Sequence, residues 1–250
     1  DPLFVRYALV SPQTQQELAG LSAAGATRRA LTKAMIESLV IRAPRSLEEQ
    51  RRIAHTLGAL DDKIELNRRM SETLEKIART LFDRWVQEMA YVNTVASEEL
   101  GAGATFADVA YEHKKKWLPV REEVVDHHSL PAFDAGVQPV RERSSSIKSA
   151  KTLVPRGAIL VSRLNPRFPR VWLTDVSDVV PAVASTEFLV ATPKEPFGRS
   201  YLYLLASSSS FQQSLISMAT GTSGSHQRVR PDSVMGLNAP TAPSSELAKL

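Results

Sequence analysis

Residues 46–85, "SLEEQRRIAHTLGALDDKIELNRRMSETLEKIARTLFDRW", constrain this chain more than any other stretch. Ser46 and Glu49 form an S-x-x-E capping box just after Pro44. From there to Met89 there is no proline, and Gly58 is the only glycine. One helix is therefore predicted over 46–89, unbroken through Gly58, although a glycine costs about 1 kcal/mol relative to alanine. Ile53, Leu57, Leu60 and Ile64 step by four, three and four, and Leu74, Ala78, Leu81 and Trp85 keep that phase. Asn67 and Ser71 place polar groups on the same seam. Forty-odd residues at about 1.5 Å each give roughly 65 Å, more than a small domain can cover. The stripe is thus expected to pack on another helix in the manner of a left-handed coiled coil, with the polar seam positions setting register. An amphipathic helix of an ordinary bundle would show the same pattern. Eight Lys/Arg against nine Asp/Glu between 46 and 90 make it a poor DNA-binding basic region.

Two segments flanking this helix repeat each other. Residues 3–27 read "LFVRYALVSPQTQQELAGLSAAGAT" and residues 202–222 read "LYLLASSSSFQQSLISMATGT". Gln15-Gln16 aligns with Gln212-Gln213, and Leu18 with Leu215, at a shift of 197. Each segment runs on through arginines (Arg28 and Arg29; Arg228 and Arg230) to an apolar stretch and a proline. The long helix follows Pro44, and "SSELAKL" follows Pro243. The unit is a globular domain followed by a long helix, used twice. The helix then acts as a spacer between two copies of one domain, and its expected partner is a second, antiparallel helix beginning near residue 244.

The 250 residues contain no cysteine, which excludes a disulfide scaffold and a thiolate metal site and suits a reducing cytosol. No run of 18 apolar residues is present. The first residue is Asp1 rather than Met, and Leu250 stops inside an apparent helix start, which suggests a fragment. Net charge is only +4, so its distribution is more informative. Residues 91–243 hold sixteen Lys/Arg and fourteen Asp/Glu, yet 141–170 hold eight basic residues and one acid, Glu142. Lys114–Lys116 and the loop "GTSGSHQRVRP" at 221–231 add two further basic runs. Such concentration fits a surface that tracks phosphates, while any single run can also be a solvated face. The 141–170 run is expected mostly to hold phosphates through Lys148, Lys151, Arg163, Arg167 and Arg170. Gly221 and Gly224 let the other loop approach DNA closely, Ser223, Ser225, His226 and Gln227 offer directional hydrogen bonds, and Arg228 suits a bidentate contact to guanine.

Strands are predicted at 158–164, 170–175 and 185–191, and one helix at 200–219. An α+β domain follows. No phosphate-binding Gly-x-x-x-x-Gly-Lys-Ser/Thr is present, the five histidines lack ligand spacing, and no Ser/His/Asp order points to a nucleophile. "LNPRF" at 164–168 resembles the Asn-Pro-Pro-aromatic motif of amino-methyltransferases, but Arg167 replaces the second proline. No glycine-rich loop for S-adenosylmethionine precedes it. No cofactor, no metal and no catalytic residue are therefore expected.

The helix motif, with its proline, Glu-Gln, Leu-Asp-x-Lys-Ile, Leu-Glu and Leu-Phe-x-x-Trp, resembles the central region of type I restriction–modification specificity subunits. "VSRLNPRFPRVWL", "STEFLV" and "FQQSLISMATGTSGSHQRVRP" resemble one of that family's target-recognition domains. The resemblance implies a long coiled-coil spacer helix flanked by target-recognition domains, each with a twisted, mostly antiparallel sheet and short helices. It divides the chain into the end of a first recognition domain (1–45), the spacer (46–90), a second recognition domain (91–243) and the start of a second helix (244–250). It implies double-stranded DNA, methyltransferase subunits and restriction subunits as partners, with no membrane and no small-molecule substrate, in a bacterial or archaeal cytoplasm. The DNA-facing set expected is Lys148, Lys151, Arg163, Asn165, Arg167, Arg170, Thr222, Ser223, Ser225, His226, Gln227, Arg228 and Arg230. Two alternatives stand beside it: the recognition part of a fused single-chain restriction–methylation enzyme, and a coiled-coil scaffold that does not touch DNA.

Overall fold

The structure, a computed structural model, describes residues 1–23, 31–96, 103–119, 122–221 and 227–240. The chain divides into two compact units, Asp1–Glu75 and Lys76–Leu250. The first holds α1 (Pro2–Val10), α2 (Pro12–Ala23), α3 (Lys33–Glu37) and the start of α4 (Leu47–Ala96). The long helix is a single element that passes Gly58 without a break. Ser46 Oγ accepts from the Glu49 N–H at 3.3 Å, the expected N-terminal cap.

The face of α4 that the first unit covers is not the expected stripe. The amino group of Asp1 donates to Gln50 Oε1 (2.6 Å), Tyr7 Oη donates to Asp61 (2.8 Å), and Ala54 between them is 2% exposed. Ile53, Leu60 and Ile64 are exposed, and only Leu57 of that stripe is half-buried. The 3–4 spacing marks a face able to pair, but nine-residue α1 lies over the neighbouring face through Gln50, Ala54, Gly58 and Asp61. Gly58 sits beneath α1, where an added Cβ would meet Tyr7 Oη at 3.7 Å and Leu3 Cδ2 at 4.0 Å. These are ordinary van der Waals contacts, so nothing there requires a glycine. Gly58→Ala should stabilise the first unit by about 0.5–1 kcal/mol, seen as a higher denaturant midpoint. A lower midpoint would show that α1 tolerates no side chain at this crossing.

The second unit contains the end of α4, α5 (Phe106–Val109), α6 (Leu130–Asp134), α7 (Arg199–Ser207), α8 (Ser209–Ser217), α9 (Pro231–Met235) and nine strands. These are β1 (Ala110–His113), β2 (Lys116–Trp117), β3 (Val124–His128), β4 (Val140–Arg143), β5 (Lys151–Leu153), β6 (Ile159–Ser162), β7 (Val171–Leu173), β8 (Ala182–Ala184) and β9 (Phe188–Pro193). They form two sheets. One is antiparallel throughout, in the order β1-β9-β6-β7. The other runs β2-β5-β8-β3-β4, and only its β3–β8 pair is parallel.

Strand β6 explains the layering. All four of its residues are buried, which is why 158–161 reads as a continuous apolar run rather than an alternation. Ile159 and Val161 face one core with Leu202, Leu205, Phe211 and Phe82 from the helices. Leu160 faces another with Trp172, Phe188, Ala182 and Ala184, the last two from the second sheet. The small residues of β8 let the two sheets approach, and Val183 turns to the opposite face with Trp117, Val125 and Ile147. Each fully buried Leu, Ile or Val contributes roughly 1.5–3 kcal/mol relative to exposure.

The predicted helix over 200–219 is two helices. Ser208 breaks it with extended backbone (ψ 149°) and caps α8. The break belongs to the repeat. Ser11 Oγ accepts from Thr14 N–H and donates to Ala8 O, and Ser208 Oγ accepts from Phe211 N–H and donates to Leu205 O. Gln15 Nε2 reaches back to Leu9 O at 2.8 Å, and Gln212 Nε2 to Ala206 O at 2.5 Å. Every partner is displaced by the same 197 residues, so the two segments share one local structure as well as one pattern. The proposed second long helix falls in 241–250, outside the described residues.

Candidate nucleic-acid interface

Strand β6 ends in an irregular loop, 163–169, whose backbone is tied to a second segment far away in sequence. Asn165 N–H donates to Gln227 O (2.8 Å), and Val229 N–H donates to Arg163 O (3.0 Å). Arg228 bridges Leu164 on one side and Thr220 on the other, exchanging two backbone bonds with Thr220. Asn165 adopts the left-handed conformation (φ 49°), which asparagine tolerates better than most residues. Its Oδ1 is buried without a partner among the described residues. Arg163, Asn165, Gln227 and Arg228, expected to meet DNA from two separate runs, are thereby brought together, with exposed Arg167 on the same loop.

The cations differ in what already occupies them. Arg163 is half-buried and donates to the carbonyls of Val229 (3.2 Å) and Thr186 (2.5 Å). Burial pushes its guanidinium below the ordinary arginine range. Arg170 makes a bidentate pair with Asp134 (2.7 and 2.9 Å) and lies over the Phe168 ring. Arg228 makes a bidentate pair with Glu187. Arg141 does the same with Asp126 on the second sheet. Lys148 and Lys151, expected to share one role, are not equivalent. Lys148 is exposed, whereas Lys151 is 8% exposed and donates to Ser149 O and Oγ. Burial lowers the Lys151 pKa, with Glu142 opposing. Lys151 thus lies in the wall of β5 and Lys148 on the connection from β4 to β5, so neither belongs to the 163–169 loop. Exposed Lys148, Arg167 and Arg230 form no ion pair with any described residue.

Thr222, Ser223, Ser225 and His226 lie outside the described residues. Two residues of this surface were not in the expected DNA-facing set. Phe168 is 61% exposed at the tip of its loop. Glu187, on the turn between β8 and β9, sits 41 residues from the arginine that it binds. Among the described residues, no three His, Cys, Asp or Glu side chains converge as a metal site, and no helix is long and apolar enough to cross a membrane.

Solved structures similar to this chain include the following three. One, reported as the structural basis underlying complex assembly and conformational transition of the type I R-M system, has a TM-score of 0.50 at 18% identity, covering 60% of this chain and 42% of that one. The HsdS subunit from Thermoanaerobacter tengcongensis has a TM-score of 0.40 at 17% identity, with 100% and 60% covered. The type I restriction–modification S subunit from M. genitalium has a TM-score of 0.37 at 14% identity, with 58% and 35% covered. The chain spans less than two thirds of each of these proteins. No curated protein sequence matches it. Residues 7–76, which run from the end of α1 through α2 and α3 into the first part of the long helix, match the family described as type I restriction modification DNA specificity domain.

Proposed function

We propose that this chain is the DNA-recognition subunit of a type I restriction–modification complex, itself non-catalytic and acting in the cytoplasm of a bacterium or archaeon. The match of residues 7–76 carries this reading. On it, residues 1–45 end one target-recognition domain, 46–90 form the spacer, 91–243 form a second recognition domain and 244–250 begin a second helix. Each domain reads half of a split duplex site, and the spacer fixes the distance between halves. Methyltransferase subunits dock beside the helices and restriction subunits join the assembly. The exposed apolar row Leu60, Ile64, Leu74 and Leu81 supports a helical partner along α4.

The surface around 163–169 and 227–230 supports a division of labour in the second domain. Lys148, Arg167 and Arg230 are exposed cations without carboxylate partners among the described residues, suited to phosphates. Gln227 and Arg228, held by the backbone ladder to Leu164 and Thr220, suit base edges. The assembled complex is the material to test. Lys148→Ala should weaken cognate and random duplexes alike and lower the salt slope by about 1. Lys151→Ala should leave that slope unchanged, because its ammonium is already bonded to Ser149. Gln227→Ala should cost about 1–3 kcal/mol on the cognate half-site and little on random DNA. Equal proportional losses for Lys148→Ala and Gln227→Ala would refute the division. An assembled complex with no preference for any sequence would refute the function itself.

A further inference from the structure

We infer that Glu187 is a positioning residue that fixes Arg228 for base reading by holding one edge of its guanidinium and leaving the other edge free. The inference rests on the reading of this surface as DNA-facing and extends it to a residue that would itself touch no DNA.

The geometry is specific. Arg228 Nε donates to both carboxylate oxygens of Glu187 at 3.2 and 3.0 Å, and Nη2 donates to Oε1 at 2.8 Å. The carboxylate therefore takes the side edge, made by Nε–H and one Nη2–H. A guanidinium has five N–H donors in a fixed plane. The end edge, made by Nη1 and the remaining Nη2–H, has no partner among the described residues. Two parallel donors on such an edge match the O6 and N7 acceptors of guanine. A carboxylate on the side edge does not compete with that contact; it selects the plane and direction in which the free edge points.

Both ends of the pair are anchored. Glu187 lies on the Ser185–Glu187 turn, which joins β8 of one sheet to β9 of the other. Its carbonyl accepts from Arg163 N–H (2.9 Å), its N–H donates to Ser185 Oγ (3.3 Å), and Phe188 N–H closes the turn onto Ser185 O (2.9 Å). Arg228 is held by its two backbone bonds to Thr220. Glu187 is 23% exposed and Arg228 50% exposed, so the carboxylate is sunk beneath a guanidinium that faces outward. This differs from Arg170 with Asp134, where the arginine is the covered partner (16% exposed) and the acid the open one (53%). A carboxylate displayed toward a DNA-facing surface would repel phosphates. One lying beneath an arginine restricts its rotamers before binding, which lowers the entropy lost on ordering that side chain at an interface.

The test uses the assembled complex and a pool of duplexes randomised through the half-site, sequenced before and after selection, together with salt-dependent binding to one random duplex. In the wild type, Arg228→Ala should relax the preference at one base position. Glu187→Ala and Glu187→Gln should relax that same position by about ten-fold while the other positions keep theirs. Their affinity for random DNA should be unchanged or slightly tighter, which also reports that the domain is folded. Glu187→Ala added to Arg228→Ala should change nothing further at that position. Preferences at every position unchanged in Glu187→Ala would overturn the inference, as would a loss spread evenly over all positions, the mark of a purely structural role. Equal tightening on every sequence would overturn it too, since Glu187 would then only repel DNA. A wild-type complex that selects no sequence sinks the proposed function instead, so the two failures are distinguishable.

Discussion

Replacing Phe82 by alanine is expected to cost the second unit about 3–5 kcal/mol, while Leu81→Ala, one residue earlier on the row proposed to meet a partner helix, should leave that unit's own core untouched. The pair tests which face of the long helix is structural. Phe82 is 5% exposed and sits in the principal core with Leu202, Leu205 and Phe211. Its ring lies 5.6 Å from Trp85 and 5.8 Å from Tyr201, the latter edge-on. Tyr201 Oη donates to Pro240 O, and burial raises its phenol pKa far above the ordinary value. Removing Phe82 leaves a cavity between the helix end and α7 that neither Trp85 nor Tyr201 can fill without giving up its own packing. Leu81 is 61% exposed, so truncating it opens no cavity. Stability should be measured by chemical denaturation, and the attachment by hydrogen exchange at 76–88. Exchange unchanged from wild type in Phe82→Ala would show that the helix end is held by something other than this aromatic cluster. Because the helix is the proposed spacer, the same variant should also blunt discrimination between spacer lengths in the assembled complex.

The contrast between Leu81 and Phe82 shows what the sequence could and could not reveal. Helix existence is a local property. A cap, absent prolines and a steady apolar period specify it, and α4 runs from Leu47 as that pattern requires. Which face is covered depends on elements packed from elsewhere, and no period encodes that α1 crosses at Gly58 or that α7 meets Phe82. The α1–α2 and α7–α8 repeat was legible for the first reason, since Ser11, Gln15, Ser208 and Gln212 act on backbone at most six residues away. Strands β6, β7 and β9 were legible from β-branched and aromatic runs. Strands β2, β3, β4, β5 and β8 were not: "KW", "VVDHH", "VRER", "KTL" and "AVA" are short, and two carry mostly charged residues or histidines. The candidate interface was legible as a set of basic runs and illegible as an arrangement. Nothing in the order of residues pairs Arg228 with Glu187, or turns Lys151 inward while Lys148 stays outside.

Trp172→Ala should be as destabilising as Phe82→Ala, about 3–5 kcal/mol, and should carry a pH signature that Phe82→Ala lacks. Trp172 is 2% exposed between the two sheets, with His128 at 4.7 Å, Phe133 at 5.6 Å and Phe188 at 6.3 Å between ring centroids. His128 is 1% exposed, and burial lowers its pKa, with bonds to the Val183 and Asp126 backbone opposing. A histidine whose folded pKa is depressed is buried neutral. It favours the folded state fully above its unfolded pKa of about 6.5, and that contribution is lost as pH falls from there toward the folded value. One proton taken up on unfolding corresponds to at most about 1.4 kcal/mol per pH unit in that window. The paired carboxylates Asp126 and Asp134, lowered chiefly by their arginines, act the same way only at more acidic pH. Removing the indole admits water beside His128 and relaxes the depression. Stability of Trp172→Ala should therefore fall less steeply than wild type between about pH 7 and 5. Its deficit relative to wild type should narrow on acidification, while the deficit of Phe82→Ala stays constant. Denaturation midpoints across that range, with the His128 imidazole followed by NMR, provide the check. Parallel pH profiles for wild type and Trp172→Ala would show that the histidine is shielded by the β3–β8 pair rather than by the indole.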